Sequence, residues 1–86
     1  MYYTYAIINE KDKIYIGQTD NLELRLARHN GQLPRKSKSY TCKQKGFWKI
    51  FYQEEFADRS EAVKREKQLK SFRGRQFLKQ ILNKRP

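Results

Sequence analysis

Three residues of this chain stand where a core-forming pattern calls for something apolar or larger. From Leu22 onward, spacing of i, i+3, i+4 and i+7 puts Arg25 on one helical face with Leu22, Leu26 and His29. Glu66 follows Ala62 by four residues and Val63 by three, and precedes Leu69 by three, so it too falls on a face that should be apolar. Tyr15 shares its strand face with Gly17, which has no side chain. A charge pointed at a core is costly unless it is paired or binds a metal, and conflicts between local pattern and fold concentrate at functional sites. Tyrosine, arginine, histidine and glutamate together supply what phosphodiester cleavage requires. A base activates water, a cation holds the phosphate, and a carboxylate holds a divalent metal.

Each residue also has a plainer reading. Arg25 can pack its stem and leave its head in water. Glu66 can pair with Lys70 at i+4. Tyr15 can be a core aromatic with a satisfied hydroxyl, and His29 can be a helix-end residue favoured by the dipole. It is their conjunction that points to chemistry.

The elements that must position these residues follow from periodicity. Tyr2–Ile8 alternates, with Tyr3, Tyr5 and Ile7 on one face and Tyr2, Thr4, Ala6 and Ile8 on the other. Asn9-Glu10-Lys11-Asp12 is a polar turn and Lys13–Gln18 resumes the alternation, which together predict a β-hairpin. Thr19-Asp20-Asn21 offers N-cap residues for a helix from Leu22, and Asn30-Gly31 offers its stop. Residues 31–46 read as a long loop rich in Lys, Ser and Gly, with Pro34. Phe47–Gln53 predicts a third strand, with Trp48, Ile50 and Tyr52 sharing a face and Trp48 in the core. Asp58 and Glu61 fit a capping box for a helix over Arg59–Lys70. Ser71-Phe72-Arg73-Gly74 breaks that helix, and a last one covers about Arg75–Asn83. With no repeat and a length of 86 residues, one domain over 1–86 is expected.

Charge bounds the partner. The chain has 20 Lys and Arg against 9 Asp and Glu, a net charge of +11, with a pI of about 10.0 and a mean hydropathy of −1.06. The first 30 residues are net neutral, whereas Arg35, Lys36, Lys38, Lys43, Lys45 and Lys49 form an acid-free block. Glu66 is the last acid, and Lys67, Lys70, Arg73, Arg75, Lys79, Lys84 and Arg85 follow it. Such clustering is the footprint of a phosphate-backbone binder. No apolar run approaches the length of a membrane span, and Met1–Tyr5 lacks the plan of a signal peptide. A lone cysteine, Cys42, offers no internal disulfide, so a reducing, cytoplasmic setting is expected.

Tyr3-Thr4-Tyr5, followed by Ile14-Tyr15-Ile16-Gly17, resembles the paired motifs of the GIY-YIG nuclease superfamily. Tyr5 stands as the tyrosine of the first motif, and the second motif is intact. Arg25 looks like the family's helix arginine, His29 occupies its following Tyr-or-His position, and Glu66 looks like its metal-binding glutamate. The likeness runs from Tyr2 to about Lys70. It is similar to small stand-alone bacterial endonucleases and to the amino-terminal catalytic domain of the C subunit of the excision-repair nuclease. It implies an α+β fold, a three-stranded antiparallel sheet flanked by helices, with the site on a sheet face beside the first two helices. It further implies hydrolysis of DNA phosphodiesters, in repair or recombination, with one Mg²⁺ or Mn²⁺ on Glu66. Tyr15 is then the general base, Arg25 the cation on the transition-state phosphate and Tyr5 the orienting group, while His29 contacts phosphate or relays a proton. Gly17, Gln18, Arg35, Lys36, Lys38, Lys43, Lys45, Lys70, Arg73 and Arg75 are expected along the DNA backbone. Two departures stand out. Tyr3 replaces the leading glycine of the first motif, and Gln18 stands where the repair relatives carry lysine.

Two other classes stay open on the residues alone. One is a module of the same fold that grips nucleic acid without cutting it. The other is a structural RNA-associated protein, which leaves Glu66 on its apolar face unexplained.

Overall fold

The computed structural model describes residues 1–30 and 47–84. The elements run β1 (Tyr2–Ile8), β2 (Ile14–Thr19), α1 (Leu22–His29), β3 (Lys49–Phe56), α2 (Arg59–Lys70) and α3 (Phe72–Asn83). The strands form one antiparallel sheet in the order β2-β1-β3. This is the expected α+β architecture. The hairpin closes through Asn9, whose Oδ1 accepts from the backbone N–H groups of Lys11 and Lys13. Asp12 takes the one positive φ among described non-glycine residues, 63°, a conformation that short polar side chains tolerate.

Alternation along β1 divides the core in two. Tyr5 and Ile7 pack with Trp48, and Tyr15, Leu22, Leu26 and Ile50 close over them, which seats α1 on one face of the sheet. Ala6 and Ile16 pack with Leu69 and Leu78, which seats α2 and α3 on the other. Thr4, fully buried, fixes α2 there by donating to the carbonyl of Ala62 at 2.6 Å. Arg65 on α2 reaches Glu54 on β3 at 2.9 Å, and Glu54 also accepts from Tyr52.

Four sequence expectations shift. The third strand begins at Lys49 and runs to Phe56, so Trp48 precedes it, although it is buried as expected. Ile50 pairs with Ile7 and Tyr52 with Ala6, leaving Phe51 as an extra residue at a β-bulge. The bulge sends Tyr52 to the α2–α3 face while Trp48 and Ile50 stay on the α1 face. Asp58 occupies the N-cap of α2 but its side chain makes no cap bond, so the capping box is not formed. Finally, the break before the last helix is Ser71 alone. Its Oγ caps α3 by accepting from Gly74 N–H at 3.2 Å, and Phe72, Arg73 and Gly74 are already helical. A Cβ on Gly74 would lie 2.3 Å from the Gln68 carbonyl oxygen, so only glycine allows α3 this close to the end of α2. The long loop expected over 31–46 lies outside the described residues.

Asn30, expected only to stop α1, does more. Its side chain donates to the Trp48 carbonyl at 3.1 Å and accepts from the Trp48 N–H at 2.7 Å, so it imitates a strand pairing between the end of α1 and the start of β3. Losing both bonds in Asn30→Ala is expected to cost about 1–3 kcal/mol of stability. Asn30→Asp keeps an acceptor and should lose less. Urea unfolding of the two variants checks the order.

Candidate active site

The site is built on the α1 face of β1 and β2. Tyr5 lies directly across from Gly17, and Ile7 across from Tyr15, in the antiparallel register. Opposed residues share a face, so Tyr5, Tyr15 and Gly17 line up beneath α1. The Tyr5 ring crosses the bare Cα of Gly17. A Cβ there would sit 2.8 Å from the Tyr5 hydroxyl and 3.0 Å from the Tyr15 ring. Gly17 is therefore required by close approach, not by backbone angle.

Asn21 begins α1 by accepting the Leu24 N–H at 3.1 Å. Leu22 and Leu26 pack against the sheet, which turns Arg25 and His29 toward the tyrosines. Arg25 Nε donates to the Tyr5 hydroxyl at 3.2 Å, and that hydroxyl lies 2.8 Å from His29 Nε2. The His29 ring centroid is 4.8 Å from that of Tyr15 and 5.9 Å from that of Tyr5.

Protonation follows from burial. Tyr5 is 1% exposed, and desolvation pushes its pKa up to about 12 against the opposing pull of Arg25; the charges of Tyr15 and Glu66 push the same way as burial. The phenol stays protonated at neutral pH. Its proton needs an acceptor, and Arg25 can only donate. His29 Nε2 is the acceptor in reach, which puts the imidazole's own proton on Nδ1. His29 is 8% exposed, and burial, then the Arg25 charge, lower its pKa to about 4, so it is neutral as this bond requires. Burial alone would lower the Arg25 pKa, but bonding and attraction to Tyr5, then Tyr15, raise it overall.

Glu66 comes from α2 on the opposite face, where the expectation had placed the first two helices beside one face. Its Oε2 accepts from Lys70 Nζ at 2.5 Å, the i+4 pairing, and its side chain is 20% exposed. Its charge still registers at the Tyr5 phenol. The structure thus joins Tyr5, Tyr15, Arg25 and His29 in one cluster, and Glu66 acts on it electrostatically. Among the described residues no group of three His, Cys, Asp or Glu side chains could hold a metal. A hard cation such as Mg²⁺ can still bind through one carboxylate, waters and substrate phosphate, and Glu66 meets that requirement once Lys70 yields.

Of the expected backbone contacts, Arg35, Lys36, Lys38, Lys43 and Lys45 lie outside the described residues. Lys70 is held by Glu66, Arg75 Nε caps α2 by donating to the Lys70 carbonyl at 3.2 Å, and Arg73 is exposed. Gln18 is half-buried at the end of β2. Arg28 and Arg59, not singled out in the sequence, line a pocket with Arg25 and Gln18.

A buried tyrosine, a second tyrosine beside a glycine, and an arginine and histidine on the following helix define a polar site of GIY-YIG type. The model of the GIY-YIG catalytic domain matches residues 1–79, and the chain belongs to that family. It is 38% identical over 80 residues to a UPF0213 protein of Staphylococcus haemolyticus, covering 93% of each chain. It is also 38% identical over 66 residues to a UPF0213 protein of Lactiplantibacillus plantarum, covering 76% of this chain and 62% of that one. No solved structure matches.

The neutral imidazole makes stability depend on pH. Unfolded histidine titrates near 6.5 and folded His29 near 4. Between those values the unfolded chain holds a proton that the folded chain lacks. Stability from this group is therefore complete above about pH 6.5 and falls as pH drops toward 4, by on the order of 3 kcal/mol. His29→Gln, which keeps an acceptor for Tyr5, should flatten that part of the unfolding-versus-pH curve. Gly17→Ala should displace both tyrosines and cost about 1–3 kcal/mol, read by urea unfolding and by the aromatic resonances of Tyr5 and Tyr15.

Proposed function

We propose that this chain is a metal-dependent endonuclease that hydrolyses DNA phosphodiesters. The observation that carries the proposal is Arg25. Its Nε is committed to the Tyr5 hydroxyl, which fixes the guanidinium at the lip of an open pocket. A planar donor fork held in place before substrate arrives suits a phosphate whose charge grows in the transition state.

The roles divide by exposure. Tyr5 is sealed and its phenol holds its proton too tightly to act as a base at neutral pH. Tyr15 is half-buried, so of the two tyrosines it is the one placed to take a proton from the attacking water. Arg25, beside it, stabilises both the phenolate and the phosphate. His29, buried against Tyr5, is a positioning residue: it accepts the Tyr5 proton and so keeps the Tyr5 oxygen turned to Arg25. This narrows the family-based expectation of a phosphate contact or proton relay. Glu66 would hold one Mg²⁺ or Mn²⁺. When bound, such an ion polarises the phosphate and stabilises the leaving oxygen.

One observation favours the second reading, a module that binds without cutting. Lys70 occupies the Glu66 carboxylate. The two readings part in a nicking assay on supercoiled plasmid and on single-stranded and branched DNA, the branched substrate testing the implied role in repair or recombination. Cutting should require Mg²⁺ or Mn²⁺, vanish with chelator and with Glu66→Ala, and fall at least about 100-fold in Arg25→Ala. Lys70→Ala should lower the Mg²⁺ concentration needed. Cutting that survives chelator or Glu66→Ala rejects the mechanism, and tight binding with no cutting selects the second reading.

A further inference from the structure

The end of β2 carries a feature that the chemistry above leaves unused. A pocket of about 200 Å³ opens there between α1 and the start of α2. Arg25 and Arg28 line it from α1, Arg59 from α2 and Gln18 from the strand, with Leu24 as an apolar wall and Asp20 the one carboxylate. Neither Arg28 nor Arg59 has a carboxylate within ion-pair distance among the described residues, where the ion pairs are Arg65–Glu54 and Lys70–Glu66. Arg59 is instead stacked over the Tyr2 ring, 5.1 Å from its centroid, which orients its guanidinium. It also occupies the first turn of α2, where the helix dipole disfavours a cation. Gln18 Oε1 is buried and has no hydrogen-bond partner among the described residues.

These features share one remedy, an anion that also carries a hydrogen-bond donor. An anion relieves the repulsion among three guanidinium groups and sits well at a helix N-terminus. A donor on the same ligand satisfies Gln18. Position on α2 adds a direction. Arg59 and Glu66 are seven residues apart, two turns on one stripe of the helix, about 10 Å along its axis.

We propose that Arg28 and Arg59 clasp a backbone phosphate of the strand being cut, a few nucleotides from the phosphodiester held at Arg25 and Glu66. Gln18 accepts from a base amino group of the same strand. The pocket thereby fixes the direction in which a strand lies across the site. This assignment rests on the nuclease reading for its substrate, but not for its test.

The test uses Arg28→Gln/Arg59→Gln beside a charge-matched control, Lys11→Gln/Lys13→Gln, at the far end of β2 from the pocket. All four side chains are exposed, so both variants should unfold at the wild-type temperature. The first probe is inorganic phosphate, followed through the Gln18 side-chain amide resonance. It should move the resonance in wild type and in the control but not in the arginine variant. The second is a fluorescein-labelled 12-mer duplex in chelator, with anisotropy measured across salt concentrations. The salt slope should fall by about 0.9, one phosphate contact, in the arginine variant and stay put in the control. An unmoved Gln18 amide, or equal slopes in the two variants, overturns the pocket even if the protein nicks DNA. A phosphate response with an unchanged duplex slope overturns the backbone assignment in favour of a free phosphate ligand. Both expected responses from a protein that cuts nothing support the pocket and reject only the nuclease reading.

Discussion

The site depends on one buried hydroxyl. Tyr5 can be sealed in the core only because its polar end finds both a donor and an acceptor there, Arg25 and His29. An unpaired phenol at that depth would cost a large part of a small domain's stability. Each partner is in turn constrained by the bond. Arg25 cannot swing freely to solvent, and His29 must stay neutral. The same hydroxyl explains the glycine of the second motif, since any side chain at Gly17 would occupy its place. A strand motif, a helix arginine and a helix-end histidine are thus one unit joined at a single oxygen.

Around that unit, the sheet carries a packed core on each of its faces. The aliphatic cluster of Ala6, Ile16, Leu69 and Leu78 lies under α2 and α3, while aromatics and polar groups gather under α1. β1 can serve both because alternate residues point to opposite faces, so the buried Thr4 anchors α2 while its neighbour Tyr5 anchors α1. Glu66 lies on α2, paired with Lys70, and its charge adds to the forces that keep Tyr5 protonated.

What was legible in the sequence is what a short window determines. Alternation gave the hairpin and Asn21 the start of α1, and the clash between pattern and polarity marked Tyr15 and Arg25, which the fold brings together, and Glu66, which pairs with Lys70. What depends on long-range pairing was not legible. Phe51 reads as an ordinary strand residue, and it becomes a bulge only because Ile7 and Ala6 demand Ile50 and Tyr52 as partners. Asn30 reads as a helix stop, and its bonds to Trp48 exist only in the folded chain. Asp58 and Glu61 have the right spacing for a box that the structure leaves unmade. Arg28 and Arg59 are lost among 20 basic residues. The signal that was available for Arg59 is its place in a first turn, where a cation opposes the helix dipole.

The basic side chains of the described residues therefore differ in physical standing. At β3 and along α2, Arg65 and Lys70 are matched by Glu54 and Glu66 and belong to the packing. At the end of β2, Arg28 and Arg59 have no ion-pair partner among the described residues, although Asp20, Glu23, Asp58 and Glu61 are close in sequence. A chain selected for stability alone has the acids nearby to neutralise them. β2 is also an edge strand, with backbone groups open to pairing by another strand. Arginines at its end, unpaired among the described residues, repel a second copy of the same edge. The electrostatic cost of leaving them unmatched thus discourages two copies from pairing edge to edge.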